Sequence, residues 1–133
     1  MEGNKDFFNE CMNITNTTID KVFKIDINDE QKKQILGAYL FGMFNGLGHE
    51  KNSKPVDIQS AMIQVANAKL NYSLQSAVQF SQFLINSTLK NFHPTMFAII
   101  HRGLEGCFMY KDGENKKLSQ DFHDIIEVFK AAT

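Results

Sequence analysis

Apolar residues recur at helical spacing along most of the chain, but one stretch is apolar on nearly every face. In ILGAYLFGMFNGLG, residues 35 to 48, only Asn45 and the Tyr39 hydroxyl offer polar side-chain groups. Wound as a helix, the stretch puts Leu36, Leu40, Met43 and Leu47 on one line, Phe41 and Phe44 on the next, and Ile35 and Tyr39 on a third. A helix that is hydrophobic all round belongs inside something. Its fourteen residues span roughly 21 Å, short of the roughly 30 Å of hydrocarbon in a bilayer. The pattern therefore predicts a buried central helix over about residues 29–47 of a globular protein, not a membrane span.

The flanking segments are amphipathic. Phe8, Met12, Thr15, Ile19 and Phe23 follow one another at spacings of 4, 3, 4 and 4, which predicts one helix over residues 4–23. The NITNTT within it is poor helix material and needs tertiary packing to hold. Asn28 and Gln31 read as a capping box for the central helix, and Gly46, Gly48 and HEKNSKP read as its end. Pro55 opens a third helix with Ile58, Ala61, Met62, Val65 and Ala66 on one face.

Ser73 caps a fourth helix, with Leu74, Ala77, Val78, Ser81, Leu84 and Ile85 on one side, ending at Asn91 and Phe92. Pro94 opens a fifth, running to about Tyr110, with Phe97, Ile100, Leu104, Cys107 and Phe108 as its apolar face. KDGENKK is a turn in which Gly113 is free to take positive φ. Ser119 caps a last helix carrying Phe122, Ile125, Ile126 and Phe129, with the acids outside. The expected fold class is all-α, a single domain over residues 1–133, built as a bundle of about six helices around the central one.

Ala38, Gly42 and Gly46 recur every four residues on the central helix. A glycine inside a helix costs about 1 kcal/mol relative to alanine, so the stripe needs a compensating contact. Gly103 and Gly106 offer a matching flat surface on the fifth helix, and the two helices are expected to cross there.

Composition adds limits. A chain of 133 residues with 43% hydrophobic content suffices for a core without staples. A net charge of −1 speaks against a duplex nucleic-acid binder. Charge is uneven: residues 1–31 hold seven acids and three lysines, whereas residues 32–110 hold seven bases and three acids. The first helix thus offers an acidic face to a basic partner, unless the clustering is only a solvated surface. Cys11 and Cys107 have no metal-type spacing and read as buried free thiols. MEGNKDFFNE lacks the basic start and apolar stretch of a signal peptide, so a cytoplasmic location is expected.

Chemistry is sparse. His101 and Glu105 share a helix face beside Arg102, but two ligands fall short of the four that a closed zinc site wants. That set reads as an exposed polar face, a small structural network or a partner-binding surface. GHE at 48–50 lacks the second histidine of a zincin, and GLGHEKNSK is not a phosphate-binding loop. Asn45, His49 and Glu50 collect at the end of the central helix, where Asn45 is either satisfied locally or points into a cleft. No pair of groups is placed for acid–base work, so no enzyme, cofactor or metal is expected.

INDEQKKQILGAYLFGMFNGLGHE, PVDIQSAMIQV, YSLQSAVQFSQFLI and HPTMFAIIHRGLEG together resemble a small all-α family of bacterial polymorphic-toxin immunity proteins. The resemblance covers about residues 27–110. It implies an inhibitor that binds a cognate toxin domain and blocks its active site or substrate access, with no catalytic residues to transfer. Polar positions within the matching segments (Asn45, His49, Glu50, His93, His101, Arg102 and Glu105) are then candidates for partner contact or for structure, with the acidic first helix as a rival surface. The alternative from the residues alone is a helical regulator that binds a small molecule or a metal.

Overall fold

The central helix, α2 (Glu30–Lys51), starts where Asp29 accepts a hydrogen bond from the Lys32 backbone N–H at 3.1 Å. The cap sits one residue beyond the expected Asn28. Asp26 takes the Asn28 N–H at 2.9 Å and turns the chain first. The computed structural model describes residues 2–132, with side chains over 5–130. Before α2 lie α1 (Glu2–Thr17) and its π-helical continuation, Thr18–Phe23. After it come α3 (Pro55–Lys69), α4 (Leu74–Asn86), α5 (Pro94–Lys111) and α6 (Asn115–Ala132). Among the described residues there is no strand, so the fold is all-α as expected.

The first helical run is continuous, and its threonines explain why. Thr15 and Thr18, both fully buried, donate their hydroxyls to the carbonyls of Cys11 and Ile14, at 2.8 Å each. Inward-facing threonines that bond back one turn leave no polar group unpaired, and such bonds loosen a helix locally. The run stops at Lys24, whose φ of 50° is left-handed.

Several boundaries depart from the sequence expectation. Helix α2 passes through Gly46 and Gly48 and ends at Asn52, where φ is 56°. Gly48 is a packing position rather than a stop, since the Ile58 side chain of α3 lies over it. Helix α4 ends at Asn86 because Ser87 and Thr88 return their hydroxyls to the carbonyls of Phe83 and Ile85, at 2.8 and 2.6 Å. Helix α6 begins one turn before the expected Ser119, and this turn carries Leu118 into the core with no exposed surface. In α4 the buried set is Ala77, Phe80, Ser81 and Leu84, while Leu74 and Val78 face outward.

The most extensive helix pair is α2 with α5. A Cβ on Gly42 would fall 2.8 Å from the Gly103 Cα and on top of the Ile100 carbonyl oxygen; one on Gly103 would meet the Tyr39 carbonyl and the Gly42 Cα. Gly46 lies against Cys107, and Gly106 against the Tyr39 ring. The expected crossing is therefore present, backbone against backbone. The Tyr39 ring packs edge-on to Phe23 and Phe122, which stack on each other at 4.0 Å. Through this cluster the end of the first helical run and α6 are fixed to α2.

In an ordinary helix interior, glycine to alanine gains about 1 kcal/mol. At Gly42 and Gly103 the sign reverses, because the opposing atoms are backbone and cannot move aside. Gly42→Ala and Gly103→Ala are each expected to destabilise the fold by about 2–3 kcal/mol in urea unfolding, and Gly42→Leu by more. Unchanged stability in Gly42→Leu would show that the helices do not meet there.

Candidate interaction face

Because glycines occupy the centre of the α5 contact, larger residues are turned to its flank. At about 100° per residue, Phe97, His101, Leu104 and Phe108 fall on one side of the buried stripe. The buried set is instead Met96, Ile99, Ile100, Gly103, Gly106 and Cys107. This corrects the expected apolar face: Phe97 and Leu104 are half-buried and Phe108 is 60% exposed. The Phe97 and His101 rings lie against each other at 4.2 Å.

His101, Leu104 and Phe108 form one wall of a groove of about 510 Å³. Asn45, Gly46 and His49 of α2 form another, with Thr88 beyond the end of α4. Three of the seven candidate polar residues thus meet at one place. Asn45 is satisfied locally, donating its amide to the Phe41 carbonyl at 2.7 Å. His49 and His101 are exposed. Glu50 is not among the groove residues and forms an ion pair with Lys111 that joins the C-terminal ends of α2 and α5. On the other side of α2, Lys51 pairs with Glu10 at 2.9 Å, drawing one acid of the first helix into a structural bridge.

The remaining candidates lie elsewhere. His93 caps α5, its Nδ1 accepting the Met96 backbone N–H at 3.2 Å, and packs edge-on against Phe83. Together with Arg102 it lines a second groove, about 570 Å³, between α5 and α6, floored by Ile99, Ile125 and Phe129. Glu105 is exposed on α5. His101 and Glu105 gain no third ligand: among the described residues no group of three His, Cys, Asp or Glu side chains is arranged to hold a metal ion.

Arg102 does structural work. Its Nε donates to Asp121 Oδ1 at 2.9 Å, its Nη2 donates to the same oxygen, and the Tyr39 hydroxyl donates to Oδ2 at 2.8 Å. Asp121 is 9% exposed, so this acid of α6 points inward, against the expectation that the acids lie outside. Burial, and then the carboxylate beside it, push the Tyr39 phenol above its usual ionisation range. The Asp121 bond raises the Arg102 pKa in turn. Asp121 escaped the sequence reading, although a signal existed: a phenol inside an apolar helix needs a partner. Both thiols are buried and shifted upward by that burial, Cys11 the more strongly.

A family model described as Immunity protein 48 matches residues 7–130. The chain belongs to that family. The match takes in most of α1 and nearly all of α6, extending the resemblance at both ends. No curated protein and no solved structure matches the chain. Among its described residues, no helix of this immunity protein is long and apolar enough to cross a membrane.

An unfolded tyrosine ionises near pH 10, whereas Tyr39 in the folded immunity protein holds its proton to higher pH. The stability tied to that proton is whole below about pH 10 and is lost as pH rises beyond it. Tyr39→Phe should cost about 1 kcal/mol at pH 7 and flatten the fall of stability between about pH 9.5 and 11. Asp121→Ala should cost more, about 2–3 kcal/mol, because it orphans a buried phenol as well as the arginine. Chemical denaturation across pH reads both effects.

Proposed function

We propose that this chain neutralises a cognate bacterial toxin domain by binding it one-to-one, without catalysis, and that the α2–α5 groove is the contact face. Family membership supports the toxin as partner. The observation that carries the choice of face is Phe108, a large aromatic residue 60% exposed at the rim of a groove that polar groups surround. Binding energy at protein interfaces concentrates in such aromatic anchors, with polar residues around them. Leu104 supplies apolar floor, while His49 and His101 supply hydrogen-bonding groups that read the partner's surface. The bound protein then covers the toxin's active site or its substrate access by bulk alone.

The face is also held rigid. The Glu50–Lys111 pair ties the C-terminal ends of α2 and α5 together, and the glycine contact fixes these wall-bearing helices. A preformed face loses little entropy on binding.

The test is protection of cells expressing the toxin domain encoded beside this chain, together with a binding measurement on the purified pair. The native protein should protect and bind. Phe108→Glu should weaken binding by about thirtyfold or more, the size of an interface hot spot, with helicity and thermal unfolding unchanged. Full affinity in Phe108→Glu would place the contact on another face, and failure of the native protein to protect would remove the toxin reading.

A further inference from the structure

Residues 1–31 are acidic overall, with seven acids against three lysines, yet two of those lysines, Lys21 and Lys24, stand at the end of the first helical run. Conformation does not call for the second of them. Lys24 has a left-handed φ of 50°, which glycine or asparagine adopts most easily. The first turns of α6 bring Asn115, Lys116, Ser119 and His123 to the same place. These six side chains line a pocket of about 290 Å³ beside the buried Val22 and Phe23. Phe23 stacks on Phe122 of α6 at 4.0 Å, which fixes the two walls against each other.

No acid lines this pocket. Among the described residues the three lysines make no ion pair and no side-chain hydrogen bond. Acids close by in sequence are turned to other partners. Asp26 accepts the Asn28 N–H, Glu114 pairs with Lys117 at 3.3 Å, and Asp124 faces the α5–α6 groove. Asp20 is exposed and not among the lining residues. The α5–α6 groove, by contrast, sets Arg102 beside Asp124.

We propose that this pocket binds a phosphate group, either the free ion or the terminal group of a small molecule, and that the bound group bridges the first helical run and α6. Ammonium groups gathered without a counter-charge repel one another, and an anion among them turns that repulsion into attraction. Chemistry selects phosphate over carboxylate. A phosphate carries up to two charges near pH 7 and directs acceptor oxygens to several sides, so donors on both walls reach it at once. Lysine ammoniums, a hydroxyl, an amide and an imidazole are such donors. The positive end of α6 opens on the same place and adds to their field. At about the lower limit of ligand-pocket size, the space holds a phosphate and little of what carries it.

The site is open to water, so binding is modest and weakens with salt. Titration of the full chain with inorganic phosphate, followed by amide NMR shifts near pH 7 at low ionic strength, tests it. Shifts at Lys116 and Ser119 should saturate with a Kd of about 1 mM. Lys21→Gln combined with Lys116→Gln should weaken binding at least tenfold, with circular dichroism confirming the fold. Adenosine monophosphate provides the second arm. Affinity equal to that for phosphate supports the free ion, and tighter binding supports a phosphorylated small molecule. The proposal is overturned if neither probe gives saturating shifts, or if the double variant binds as the native chain does. A tetraglutamate peptide that binds more tightly than both probes overturns it too, and assigns the pocket to an acidic protein segment. No toxin enters the measurement, so its outcome is separate from that of the α2–α5 groove.

Discussion

Gly42 and Gly103 approach so closely that a Cβ on either would fall under 3 Å from the other's Cα. Contact at that distance admits no side chain on either helix, and most of the remaining architecture answers to it. Six glycines lie within α2 and α5, at 37, 42, 46, 48, 103 and 106. At about 1 kcal/mol each against alanine they cost about 6 kcal/mol, comparable with the whole 5–15 kcal/mol stability of a typical domain. Only close packing by several partners offsets a penalty of that size. Those partners are the α5 backbone at Gly42, Cys107 at Gly46, Phe80 at Gly37 and Ile58 at Gly48. Helices α3, α4 and α5 thus each reach α2 through a missing side chain, whereas α6 meets it through the Tyr39 ring.

The same constraint sets what the surface presents. With Gly103 and Gly106 turned to α2 beside Met96, Ile99 and Ile100, the large apolar residues Phe97, Leu104 and Phe108 cannot also be fully buried. Phe97, Leu104 and Phe108 move to the flank, and Arg102 to the opposite side, within reach of Asp121 on α6. The polar pair then does what apolar packing does elsewhere. It ties α6 to α5 and satisfies the Tyr39 hydroxyl, which lies at the base of the aromatic cluster. An exposed wall and a buried polar network are thus two consequences of one helix rotation.

This explains which parts of the molecule were legible from the chain. Helix number and type followed from periodicity, and the glycine stripe at 38, 42 and 46 pointed correctly to the fifth helix. Apolar content alone could not supply the rotation of each helix. Phe108 and Val78 sit in apolar patterns no different from those of Ile100 or Leu84, yet small residues beside them direct the contact elsewhere. Helix ends at Asn52, Asn86 and Asn115 were displaced from expectation for local reasons: a left-handed asparagine, back-bonding hydroxyls, and the burial of Leu118. Of the candidate polar residues, Asn45, His49 and His101 converge because α2 and α5 run together. Arg102 and Glu50 found partners, Asp121 and Lys111, far away in sequence.

The α2–α5 groove and the outward side of α4 differ in chemistry. The α2–α5 groove mixes the exposed Phe108 ring with the imidazoles of His49 and His101. Hydrogen-bonding groups at such a rim raise the cost of wrong partners more than they raise affinity, which suits discrimination among related partners. Helix α4 turns Leu74 and Val78 outward on a segment that has no charged side chain. On the proposed function, recognition of the toxin is assigned to the groove, where a single substitution changes the pattern of hydrogen-bonding groups.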